Sequence, residues 1–110
     1  HSLERELRLS IKLDAVLGPV VEFGGAGLAS SLYGDRAVGL PPISRLAAER
    51  LAQTPKAAIA LGDYRGLPEI NWETLFNAIC RLSDLAAAVP ALRELRLEPV
   101  VPVPDGLLEL

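Results

Sequence analysis

Three glycines in four positions, Gly24, Gly25 and Gly27, follow the short run Val20-Val21-Glu22-Phe23. Glycine lets a backbone approach a ligand closely, and a bent run of amide N–H groups can hold an anion. The chemistry such a stretch suggests is phosphate binding. A dinucleotide loop has the pattern G-x-G-x-x-G between a strand and a full helix. Here Ser30 stands where the third glycine after Gly25 and Gly27 belongs. Leu28 to Tyr33 is also too short before Gly34 for a crossover helix, which needs about ten residues or more. No G-K-[ST] follows, so a P-loop fails as well. Two readings stay open: a glycine bend between strands, and a loop whose backbone meets a ligand.

A second constellation lies near the C-terminus. Glu94, Arg96 and Glu98 alternate with Leu95 and Leu97. Residues i and i+2 of a strand share a face, so the three charges line up on the wet side. Carboxylates there suit a hard cation such as Mg²⁺. Arg96 works against it, since two charges held ~4–6 Å apart at an effective dielectric near 20 repel by several kcal/mol. The plain alternative is a surface ion pair worth under about 1 kcal/mol. A third set, Glu6, Arg8 and Lys12, shares the polar parity of the first strand. It lines either a solvated face or a phosphate site. His1 is the single histidine, which excludes a catalytic triad and a histidine-based metal cluster. Cys80, beside Ile79 in a helical stretch, reads as a buried inert thiol, and Trp72 as packing at a helix start.

The elements that position these residues follow from periodicity. Residues 3 to 14 alternate, with Leu3, Leu7, Leu9, Ile11 and Leu13 on one parity. That is a strand with one buried face. Gly18-Pro19 is a turn signal, Val20 to Phe23 a second strand, and Leu28 to Tyr33 a third. Arg36 to Leu40 extends along a sheet edge. Ser44 caps a helix whose apolar spacing runs through Leu46, Ala47 and Leu51, and Pro55 stops it. Lys56 to Leu61 leans towards a short helix, and Gly62 to Pro68 is loop. Asn71 caps a second long helix, with Glu73 at the positive end of its dipole. Its stripe is Leu75, Ile79, Leu82 and Leu85 or Ala86, and Pro90 closes it. Leu92 to Val103 alternates again, Pro104-Asp105-Gly106 is a hairpin turn, and Leu107 to Leu110 pairs back. The order predicts an α+β fold, a mostly antiparallel sheet with two or three helices on one face.

The totals bound the rest. The chain has 110 residues, half of them apolar, and a net charge of −3. One domain with a real core is expected. No Lys/Arg block points to nucleic acid, and no apolar run nears the ~20 residues of a membrane span. One cysteine excludes an internal disulfide. Cytoplasm is the default expectation. The chain has no methionine and starts with His1. The simplest expectation is a piece of a longer protein, with His1-Ser2 a tag remnant.

Asp14-Ala15-Val16-Leu17-Gly18-Pro19-Val20-Val21-Glu22-Phe23-Gly24 resembles the D-x-x-F-G-P-V-V-x-F-G stretch of NDP-forming acyl-CoA synthetases. Gly27 matches the last glycine of that family's F-G-x-G-G, and Asp35 an acidic position further on. Leu40-Pro41-Pro42-Ile43, Asp63-Tyr64-Arg65-Gly66 and Glu94-Leu95-Arg96-Leu97-Glu98-Pro99-Val100 resemble its x-x-P-L, G-Y-R-G and E-L-D-I-N-P-L elements in the right order. The resemblance covers roughly residues 5 to 108 and implies the C-terminal lobe of an ATP-grasp domain. It implies a parent that binds Mg²⁺ with ATP/ADP or GTP/GDP and converts acyl-CoA, NDP and phosphate to acid, CoA and NTP. The N-terminal lobe and the CoA-binding domains would be its partners. It further implies Glu6, Lys12, Gly25 and Gly27 as nucleotide-site residues and Glu98 as a metal ligand in place of the family's asparagine. Ser31 replaces a family glutamate, Ala26 a glycine and Arg96 an acidic residue. These departures favour a second reading, a catalytically degenerate lobe with a scaffolding or nucleotide-sensing role. An isolated lobe would also expose sheet or apolar surface through which two copies could pair.

Overall fold

Leu7, Leu9 and Ile11 have almost no solvent exposure, as their alternation predicts, and the rest of the fold is built around them. The computed structural model describes residues 5–27, 34–62, 66–89, 91–103 and 106–109, the last four through their backbone. The strands are β1 (Leu7–Asp14), β2 (Gly18–Gly25), β3 (Arg36–Gly39), β4 (Glu94–Val103) and β5 (Gly106–Glu109). The helices are α1 (Arg45–Gln53) and α2 (Trp72–Ala88), with a 3-10 segment at Lys56–Leu61 between them. One antiparallel sheet runs in the order β3-β2-β1-β4-β5. The expected α+β architecture is present. The predicted third strand at 28–33, Ser31, Arg65 and the turn residues Pro104 and Asp105 lie outside the described residues.

Asp14 starts the β1–β2 hairpin. Its Oδ1 accepts the amides of Val16 and Leu17, each at 2.8 Å, and Gly18 takes φ +80°. Those two amides, Leu17 first, hold the Asp14 carboxyl below its ordinary pKa. Register then follows from Asp14↔Gly18 back to Leu7↔Gly25. At β2–β3 the backbones come very close: a Cβ on Gly24 would lie 2.2 Å from the Asp35 carbonyl oxygen.

Both long helices cover the same face of the sheet. Ala48, Leu51 and Ala52 of α1 and Leu75, Phe76, Ile79, Leu82 and Ala86 of α2 form one cluster with Leu7, Leu9, Ile11, Val21 and Phe23. Ser44 caps α1 by accepting the Ala47 amide at 3.1 Å, and Asn71 caps α2 through the Glu73 amide at 3.1 Å. Inside α2 the fully buried Ser83 hydroxyl accepts the Ile43 amide at 2.7 Å, which anchors the chain after Pro42. Arg45 of α1 pairs with Glu73 and lies 5.2 Å from the centroid of the Phe76 ring, so the helices are joined at one end. That carboxylate raises the Arg45 pKa above its ordinary value.

Several expectations shift. The first strand begins at Leu7, not Leu3: Arg5 and Glu6 lie ahead of it. Leu13 shares the core parity yet is 41% exposed, because it lies near the turn at the end of the sheet. Ser10, on the polar parity, is buried. Leu46 is exposed on α1 despite its helical spacing, and on α2 Ala86 is buried where Leu85 is not. Cys80 is only half-buried. The strand expected from Leu92 starts at Glu94.

Candidate functional site on the uncovered sheet face

Among the described residues, no helix packs on the second face of the sheet. Paired residues of antiparallel strands share a face, so the register assigns its members. Arg36 stands opposite Gly24, and Val38 opposite Glu22. Glu22 stands opposite Ser10, and Ser10 opposite Arg96. Lys12 stands between Val20 and Glu94. The face therefore carries charge beside Val20 and Val38, and several of its charges engage one another. Arg96 donates to Glu94 Oε1 at 2.9 Å. Arg36 Nε lies 3.5 Å from Glu22 Oε2, and the Ser10 hydroxyl lies 3.5 Å from Glu22 Oε1. Ser10 is buried because those long neighbours close over it.

Glu98 is placed by a bulge. Leu7 pairs with Val100 but Leu9 with Leu97, so β4 spends one more residue than β1 across this step. Pro99, with no amide to donate, sits in the irregular stretch. Bulges re-aim side chains. Glu98 Oε2 reaches the Gly27 amide, 3.4 Å away. Ala26 donates its amide to the Glu6 carbonyl at 2.8 Å, and Gly25 pairs with Leu7. Glu6, Gly25, Gly27 and Glu98 thus gather at one corner of the sheet, around the glycine segment. Gly27 has φ +98°, a conformation other residues rarely take. Lys12 is not part of this group. It pairs with Val20, five positions from Gly25 along β2, about 17 Å away.

Two residues that build this corner were given no contact in the sequence reading: Arg5 was passed over, and Asp35 was only matched to an acidic position of the family. Arg5 is buried and donates to the carbonyls of Ala60 at 2.8 Å, Gly62 at 2.9 Å and Pro68 at 2.6 Å. It ties the 3-10 segment and the ends of the 62–68 loop to the start of β1. Asp35 accepts the amides of Lys56 at 2.6 Å and Ala57 at 3.0 Å, so it caps the 3-10 segment. No local sequence signal marks either pairing, since the partners stand 21 to 63 residues away.

Residues 1–110 match the ATP-grasp domain family. The chain belongs to that family. Its ATP-grasp sequence is 27% identical over 106 residues to the beta subunit of acetate–CoA ligase [ADP-forming] I from Pyrococcus furiosus, covering 96% of this chain and 46% of that protein. It is 31% identical over 101 residues to a trans-feruloyl-CoA synthase of unknown prokaryotic origin, covering 92% of this chain and 14% of that one. The fold matches the dinucleotide forming acetyl-coenzyme A synthetase 1 of Ca. Korarchaeum cryptofilum, in complex with coenzyme A and Mg-AMPPCP. The TM-score is 0.86 at 28% identity, covering 93% of this chain and 48% of that one. This ATP-grasp chain therefore spans about half the length of those archaeal subunits.

The described carboxylates form no ready-made site for a divalent ion. Beside a nucleotide Mg²⁺ takes near-octahedral oxygen ligands at about 2.0–2.1 Å from one or two carboxylates together with phosphates and waters, so those carboxylates must be free to meet it. Glu22 and Glu94 lie on β2 and β4, with β1 between them, about 10 Å apart in the strand-to-strand direction. Glu98 is turned to the glycine segment. Among the described residues no three His, Cys, Asp or Glu side chains cluster as a metal site.

Proposed function

We propose that this chain is the C-terminal lobe of the ATP-grasp domain of an NDP-forming acyl-CoA synthetase, and that its uncovered sheet face is one wall of a nucleotide cleft. The observation that carries the reading is the two-sidedness of the sheet. One face is sealed by helices, and the other is left charged, with a glycine segment at its rim. Such a face suits a polyphosphate, because amides and cations of fixed position lose little freedom on binding it. Gly27 and its neighbours bring backbone to the rim, and Arg96 and Lys12 place positive charge along the wall. The second wall and the CoA-binding domains come from the remainder of such a synthetase. The reaction proposed for the whole protein is acyl-CoA + NDP + phosphate to acid + CoA + NTP. A cytoplasmic location belongs to the same reading.

The test uses the intact polypeptide that carries this sequence. Titration calorimetry with ADP and GDP, and an assay of NTP formation from acyl-CoA, NDP and phosphate, should both give saturable signals. Absence of both overturns the proposal. A second reading has one observation in its favour: the carboxylates of the wall are engaged by protein donors and do not converge. It is a degenerate lobe that senses or holds nucleotide, and its signature is NDP binding without NTP formation.

A further inference from the structure

We infer that this wall binds its nucleoside polyphosphate through Arg96 where a divalent ion would otherwise stand, so that nucleotide affinity is independent of metal. The inference rests on the nucleotide-cleft reading and concerns what meets the phosphates there. Three observations carry it. First, the three carboxylates assigned to the face each have a donor already: Glu22 faces Arg36 and Ser10, Glu94 holds Arg96, and Glu98 takes the Gly27 amide. A cation entering here would have to displace them. Second, Arg96 stands on β4 at the end of the row Glu22, Ser10, Arg96, beside the buried hydroxyl of Ser10. Third, its guanidinium is braced from one side only. One nitrogen donates to Glu94 Oε1, and a guanidinium has five N–H donors in a rigid fork that matches phosphate oxygens in pairs. Glu94, two residues earlier on the same face, sets the direction of the fork and leaves the rest of it to the ligand. A solved relative of this fold is in complex with Mg-AMPPCP, so the substitution of a fixed guanidinium for an ion would distinguish this chain within its family.

The experiment is ADP binding by the intact polypeptide, measured once in excess EDTA and once in excess Mg²⁺. The expected result is a Kd that differs by less than about threefold between the two buffers. Arg96→Asp should make binding metal-dependent, with Kd in EDTA weakened at least about tenfold relative to Mg²⁺. Arg96→Lys, which keeps the charge but loses the fork, should weaken binding equally in both buffers. Manganese EPR adds a readout independent of affinity: with ADP present, wild type should leave the Mn²⁺ spectrum that of the Mn-nucleotide in solution, and Arg96→Asp should broaden it. A wild-type Kd that weakens about tenfold or more in EDTA overturns the inference while leaving the nucleotide cleft standing. No ADP binding in either buffer overturns the cleft reading and the inference together. Unchanged metal independence in a folded Arg96→Asp, checked by circular dichroism, overturns the role of Arg96.

Discussion

The two faces of one sheet obey different rules. On the helix side, Leu9, Ile11, Val21 and Phe23 meet Leu75, Phe76 and Ile79 with almost no solvent between them, and shape decides everything. On the other side, Arg96 and Glu94 are each more than half exposed, and their pairing sits in high dielectric where it adds little to stability. The comparison separates what holds the fold from what the fold holds up. Stability is concentrated on one side of a layer a single strand thick, and the other side is free to carry charge for a ligand.

Substitutions can test that separation. The largest effect is expected from Phe23→Ala, which empties the centre of the covered face and should cost about 3–5 kcal/mol in denaturant unfolding. Gly24→Ala comes next. Its Cβ would collide with the backbone of the β3 edge, and about 1–3 kcal/mol should be lost along with protection of the β2–β3 amides in hydrogen exchange. Arg5→Ala leaves three carbonyls without their donor and should cost about 2 kcal/mol, with faster proteolysis in the 62–68 loop as its particular sign. Asp14→Ala should be smaller and pH-dependent. The native Asp14 pKa is lowered, so its contribution is present above the unfolded value near 3.8 and fades as pH falls through the lower native value. Wild type and Asp14→Ala should therefore converge in stability in strong acid. Glu94→Gln should be the smallest, below about 1 kcal/mol, while changing ADP affinity through the orientation of Arg96. If Glu94→Gln destabilised the fold as much as Phe23→Ala, the separation of roles between the two faces would be wrong.

The difference between the faces also explains what could be read from sequence. Core-facing positions repeat: Leu7, Leu9 and Ile11 announce a strand because every second residue must be apolar. Caps are local, so Ser44 and Asn71 were legible from their neighbours. The open face was legible as a row of charges, Glu94, Arg96 and Glu98, and as a surface ion pair, which Arg96 makes with Glu94, but the partner of Glu98 was not legible. Glu98 leaves the row because Pro99 interrupts the ladder with β1, and its partner, Gly27, is 71 residues away. Arg5 was invisible for the same reason, since all its acceptors come from the 3-10 segment and the loop after it, far along the chain. Lys12 shares a face with the glycine corner but stands at the other end of β1 from it, because parity fixes a face and says nothing about which end of it. Leu13 failed through the mirror of that argument: the right side of a strand is buried only as far as the helices reach.

The bond register puts Leu7, Val100 and Glu109 in one row across β1, β4 and β5. The first and last strands thus begin and end two strands apart, about 10 Å from each other. Any polypeptide continuing from both would grip the unit at a single corner, the corner that also holds Gly27 and Glu98. The Ala15-Val16-Leu17 tip stands at the opposite end of β1 and β2, a full strand length from that grip.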